Sequence, residues 1–131
     1  MDPVVLREFC LALPGAFEDF PFGPAASVFK VRAAGGAAKM FALSDLSAPN
    51  LSVSLKCEPQ LAEQLRAAHP EIVGAYHLNK THWNGVSCTG NLPDAMIRDM
   101  IEDSYDLVVA SLPARDRETL GWSRLAADGK T

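Results

Sequence analysis

Residues 77–84 hold the densest set of chemically capable side chains in the sequence. His77, Asn79, Lys80, His82, Trp83 and Asn84 bring together two imidazoles, an ammonium, two amides and an indole. A phosphate would find charge in Lys80 and hydrogen-bond donors in Asn79, Asn84 and a protonated histidine. Trp83 has a face on which an unpaired base can stack. The same residues also suit a turn entering a strand, with Asn79 in the turn, Trp83 in the core and the histidines bonded to backbone. A second group, Lys30, Arg32 and Lys56 with Lys39 nearby, falls on strand-like segments. On a wet sheet face these cations could track a phosphate backbone. They could equally serve to keep the sheet soluble and its edges unpaired.

Other chemistries find less support. His77 and His82 are five residues apart with no third strong ligand near, and a metal site needs three or four. Asp99, Glu102, Asp103 and Asp106 read as a solvated helix face. Ser104, Cys88 and the histidines could act as nucleophile and base, but no Gly-x-Ser-x-Gly elbow or Cys-His pattern frames them. Gly35-Gly36 lacks the Gly-Lys-Ser/Thr of a phosphate loop. Cys10, Cys57 and Cys88 are odd in number and far apart, which fits buried thiols in a reducing cytosol. The expectation is therefore a non-enzymatic binding protein with no cofactor and no metal. Phe17, Phe20 and Phe22 are expected to pack in the core.

These groups need a scaffold, and 131 residues with 48% hydrophobic content suffice for one α+β domain. The net charge of −4 is unevenly spread: −3 over residues 1–23, +2 over 24–93, −4 over 94–112 and +1 over 113–131. The negative charge thus sits on two expected helices, and the expected sheet is mildly basic. No apolar run approaches the roughly 20 residues of a membrane helix. The Met1-Asp2-Pro3 start lacks the pattern of a secretory signal, so a cytoplasmic location is expected.

Asp2-Pro3 opens a helix, with Asp as N-cap and Pro in the first turn, and Pro14-Gly15 stops it. Residues 16–24, rich in Phe and Pro, suggest a short edge strand and a turn. Strands follow over 27–32, 39–43 and 51–56. In the last, Leu51, Val53 and Leu55 alternate with Ser52, Ser54 and Lys56, so one face is buried and one is wet. A helix fits 58–68 with Leu61, Leu65 and Ala68 on its apolar stripe, ended by His69-Pro70. Residues 82–88 read as a strand. Residues 94–112 read as a helix with Ile97, Ile101, Ser104, Tyr105, Val108 and Leu112 on one face. Short turns between strands favour an antiparallel sheet packed against N- and C-terminal helices.

The run Tyr76-His77-Leu78-Asn79-Lys80-Thr81-His82-Trp83-Asn84-Gly85-Val86 resembles the signature of the MmcQ/YjbR family. Leu13-Pro14-Gly15-Ala16, Pro21-Phe22-Gly23, Leu92-Pro93-Asp94 and Ser104-Tyr105 resemble its flanking elements, so the likeness spans roughly residues 4–113. It implies a bacterial protein with a frataxin-like "double wing" fold, a two-layer sandwich, over residues 1–113, with 114–131 as a helical or ragged extension. It also implies DNA as a partner. The iron binding of frataxins does not carry over, because the first helix offers only Asp2 and Glu8 against Arg7. The alternative is a small-molecule-binding or protein-interaction module with a pocket around Trp83.

Overall fold

Local chemistry starts the first helix, α1 (Pro3–Leu11): Pro3 occupies its first turn and Asp2 Oδ1 accepts from the Val5 amide at 2.9 Å. The computed structural model describes residues 1–33, 35–75 and 78–121. After α1 come strands β1 (Ala16–Asp19), β2 (Ser27–Val31), β3 (Lys39–Ser44) and β4 (Ser52–Lys56). Helix α2 (Pro59–Ala68), strands β5 (Ile72–Gly74) and β6 (Trp83–Ser87), and helices α3 (Asp94–Ala110) and α4 (Ala114–Leu120) complete the order. The strands form one six-stranded sheet in the order β1-β2-β3-β4-β6-β5, with every neighbouring pair antiparallel. The expected α+β architecture is the observed one. No helix among the described residues is long and apolar enough to cross a membrane.

Helix α3 lies on β3 and β4 and supplies the centre of the core. Ile97, Ile101, Ser104, Tyr105, Val108 and Val109 are all buried against Phe29, Phe41, Val53 and Leu55 from the sheet. Tyr105 and Phe41 meet edge to face at 5.3 Å between centroids, a contact worth about 1 kcal/mol beyond its buried area. The Tyr105 hydroxyl donates to the Pro14 carbonyl, which fastens the turn after α1 to α3. Burial holds that phenol well above its ordinary range.

Between β2 and β3 the register slips at Phe29/Lys30, where Phe29 opposes Ala42 and Lys30 opposes Met40. The extra residue, Phe41, forms a bulge. Phe41 and Ala42 are therefore both buried on the helix side, while Met40 and Leu43 keep the open side. Gly15 is required by geometry: its φ is +72°, and a Cβ there would lie 2.7 Å from the Arg32 carbonyl oxygen and 2.5 Å from Leu120 Cδ2. Leu120 brings α4 against the core, and residues 122–131 of the expected extension lie outside the described residues.

Several details correct the sequence reading. Helix α1 ends at Leu11, not at Pro14, with Ala12 as its cap. On α2 the buried position is Ala62, with Leu65 half-buried, whereas Leu61 and Ala68 are exposed, because the helix turns its Ala62 side onto β6. Phe20 and Phe22 are 46% and 71% exposed, not core residues. They sit in the β1–β2 turn, where Pro21, Gly23 and Pro24 hold the chain away from the sheet layer.

Candidate functional site

Strand pairing settles which of the expected site residues share a face. On β4, Val53 and Leu55 point to the helices, so Ser52, Ser54 and Lys56 point away. On β6, Trp83 lies opposite Lys56, Gly85 opposite Ser54 and Ser87 opposite Ser52, all on the open face. On β2, Lys30 lies opposite Phe17 of β1, also on that face. The Arg32 guanidinium stacks over the Phe17 ring at 4.8 Å, which adds it to the group. Lys30 and Lys56 are two strands apart, on the order of 10 Å between backbones. The open face thus carries Phe17 with Arg32, then Lys30, then Lys56 with Trp83.

The charges on this face are unequally available. Lys30 Nζ is 2.8 Å from Asp19 Oδ2, an ion pair between neighbouring strands. The hydrogen bond from Lys30, followed by one from the Phe20 amide, holds the Asp19 carboxyl below its ordinary pKa. Lys56 and Arg32 have no ion-pair partner among the described residues. Lys39 instead donates to Ser111 Oγ at 3.1 Å, beside the end of α3.

The segment before β6 divides its residues between structure and surface. Asn79 forms a turn, its Oδ1 accepting from the Thr81 amide at 2.9 Å and its carbonyl accepting from the Trp83 amide at 2.9 Å. Lys80 is exposed and lays its stem over Gly74, where a Cβ would come within 3.0 Å of Lys80 Cγ. His82 is exposed, and its carbonyl accepts from the Cys57 amide at 2.7 Å. Trp83 is half-buried. His77 lies outside the described residues.

Asn84 does not join this surface. It is 2% exposed on the helix side, opposite Leu55. Its Oδ1 accepts from Arg66 Nη1 at 2.7 Å, and its amide nitrogen faces the Ala62 carbonyl at 3.5 Å. Strand alternation requires this: if Trp83 faces outward, its neighbour Asn84 faces inward. Arg66, which the sequence did not single out, also donates to the Lys80 carbonyl at 3.0 Å and so holds the Asn79–Lys80 turn against α2.

Ser104 is likewise structural. Its hydroxyl, fully buried, donates to the Phe41 carbonyl at 2.6 Å and accepts from the Lys56 amide at 2.9 Å. The three thiols are free and buried, as expected. Among the described residues no three His, Cys, Asp or Glu side chains cluster so as to hold a metal ion.

The chain matches the family model described as YjbR over residues 11–107. It is 36% identical over 115 residues to the uncharacterized protein YjbR of Escherichia coli K12, covering 88% of this chain and 93% of that protein. It is 37% identical over 112 residues to the uncharacterized protein YbdF of Escherichia coli O157:H7, with coverage of 86% and 88%. Among solved structures, a Deinococcus radiodurans protein with the family-model domain DUF419 shares the fold at a TM-score of 0.85 and 38% identity, covering 92% of this chain and 88% of that one. A Pseudomonas syringae protein matches at a TM-score of 0.70 and 28% identity, with coverage of 82% and 98%.

Proposed function

The chain belongs to the YjbR family, and on that premise we propose that it binds DNA across the open face of its sheet. One observation carries the reading: Arg32, Lys30 and Lys56 stand on the same solvated face, flanked by Phe17 and Trp83, in a protein whose net charge is −4. The acidic residues Asp94, Asp99, Glu102, Asp103 and Asp106 all belong to α3, in the opposite layer. The two layers therefore differ in sign, and a polyanion is drawn to the sheet side. Lys56 and Arg32 supply the phosphate contacts. Lys80, expected to join them, instead lays its stem over Gly74, which pairs with the inward-facing Asn84, so its stem lies on the helix side of the sheet edge. Trp83 offers a stacking face.

The small-molecule alternative has less to work with inside the protein. The cavity between α2, α3 and the sheet, lined by Leu55, Cys57, Leu65, Asn84 and Met100, holds only about 20 Å³. That is room for a single water. A wider depression of about 260 Å³ between α2 and α3 is lined by Cys57, Glu58, Leu61, Asp103, Asp106 and Leu107, and its carboxylates disfavour an anionic ligand.

Fluorescence anisotropy with labelled duplex and single-stranded DNA, titrated across a salt series, tests the proposal. Affinity should fall linearly on a log–log plot, and Lys56→Ala should weaken every sequence alike while lowering the slope on duplex by about 0.9. Absence of saturable binding to either form at low salt would refute it.

A further inference from the structure

Three cross-strand pairs step along the open face of β4 and β6: Lys56 with Trp83, Ser54 with Gly85, and Ser52 with Ser87. Successive pairs are two residues apart, about 7 Å on strand geometry. That is about twice the ~3.4 Å rise per nucleotide of a stacked duplex. It suits a single strand drawn out along the two β-strands.

Beyond the Lys56–Trp83 pair the surface dips into a groove of about 660 Å³, bordered by Ser52, Ser54, Ser87, Val73 and Glu71 with Gly85 in its floor. The fold does not demand a glycine at position 85. Its φ is not positive, and a Cβ would meet only ordinary contacts, the nearest at 3.6 Å from Val73 Cγ2. What the missing side chain provides is the depth of the groove. The three serine hydroxyls can each donate and accept, as a sugar or a base edge requires. Glu71, whose Oε2 accepts from the Asn91 amide at 3.2 Å, puts a carboxylate at the far end. That end repels phosphate and accepts from an amino group, whereas the Lys56 end attracts phosphate.

We infer that the Ser52–Ser54–Gly85–Ser87 groove is a subsite for one sugar–base unit of an extended single strand, with the neighbouring base on Trp83 and the intervening phosphate on Lys56. The inference rests on the DNA-binding reading above and adds the strand's form, its path and its polarity. Lys56 beside the groove attracts the phosphate, and the uncharged serine hydroxyls are left for the sugar and base. The depth at Gly85 and the spacing of the pairs select an unpaired strand over a duplex.

The test compares a labelled ten-nucleotide single-stranded DNA with the matching duplex, on wild type, Gly85→Val, the Ser54→Ala/Ser87→Ala double variant and Lys56→Ala. Valine suits a strand, and thermal melting checks that each variant folds. Wild type should prefer the single strand. Filling the groove with Gly85→Val should weaken single-strand binding about tenfold and leave the salt dependence unchanged, because no charge is altered. Removing the hydroxyls should weaken it in the same direction. Lys56→Ala should instead lower the salt slope by about 0.7. If wild type binds but prefers duplex, or if both groove variants bind the single strand like wild type, the subsite is wrong and the broader DNA reading stands. If wild type binds neither form, both fall together.

Discussion

The Ser104 hydroxyl joins the Lys56 amide to the Phe41 carbonyl, standing in for a rung of the sheet. Ala42 pairs with Leu55 and Leu43 with Ser54, so Phe41 and Lys56 would be the next partners in register. The bulge at Phe41 opens the ladder there, and a side chain from α3 closes it. Ser104→Ala leaves two backbone groups of the interior without that partner. The expected cost is about 1–3 kcal/mol, read as a lower urea midpoint with an unchanged m-value. A midpoint equal to wild type would show that the two strands re-pair directly.

Asn84 should behave as a support and not as a contact. Asn84→Leu removes the acceptor for Arg66 and the amide facing the Ala62 carbonyl, at a cost of about 2 kcal/mol for a charge-assisted pair. Affinity for DNA, corrected for the folded fraction, should change less than it does in Lys56→Ala. A larger loss in the Asn84 variant would put that amide on the binding surface after all.

Asp19 restrains the open face. With its carboxylate against Lys30, that lysine enters any polyanion contact already partly neutralised. Asp19→Asn should raise DNA affinity and steepen the salt dependence by up to about 0.9 on duplex. An unchanged slope would mean that Lys30 lies off the path of the phosphates.

The buried thiols set an alkaline limit. Burial pushes Cys10 up to about 12, with the charges of Cys88 and Glu18 adding to it, and pushes Cys88 up to about 11. A pKa raised by folding contributes stability that is complete below the unfolded-state value and declines as pH climbs through the folded one. Urea midpoints should therefore hold to about pH 9, the ordinary thiol value of 9.0, and fall progressively toward pH 11 to 12. Both thiols should resist iodoacetamide at pH 8 until the protein is unfolded.

What the sequence disclosed and what it withheld follow from how far apart the determining residues lie. The apolar face of α3, from Ile97 to Val108, was readable because helical period alone defines it, although the helix ends at Ala110 and not at the expected Leu112. The Asp2-Pro3 cap and the alternation of β4 are equally local. The bulge at Phe41 depends on the register of β2 against β3, and the part played by Ser104 on a contact 63 residues away, and no local pattern announces either. The α2 stripe was misjudged because Leu61 is more hydrophobic than Ala62, yet the tighter contact with β6 belongs to the smaller residue.

The candidate site was half legible. Lys30, Arg32 and Lys56 lie on alternating strand positions and do share a face. Alternation could also have separated Asn84 from Trp83. Phe17, expected in the core, instead carries Arg32, a pairing that needs the β1–β2 register. The Ser52, Ser54, Gly85 and Ser87 groove required the pairing of β4 with β6, two strands separated by an intervening helix and an edge strand.

The hydroxyl splice between β3 and β4 also joins the two halves of the sheet. The plate formed by β1, β2 and β3 holds Phe17, Arg32 and Lys30, and the plate formed by β4, β6 and β5 holds Lys56 and Trp83. They meet at β3 and β4, which share two register pairs, where β4 and β6 share five. A hydroxyl carried by α3 thus ties together the two halves of a sheet whose open face it never touches.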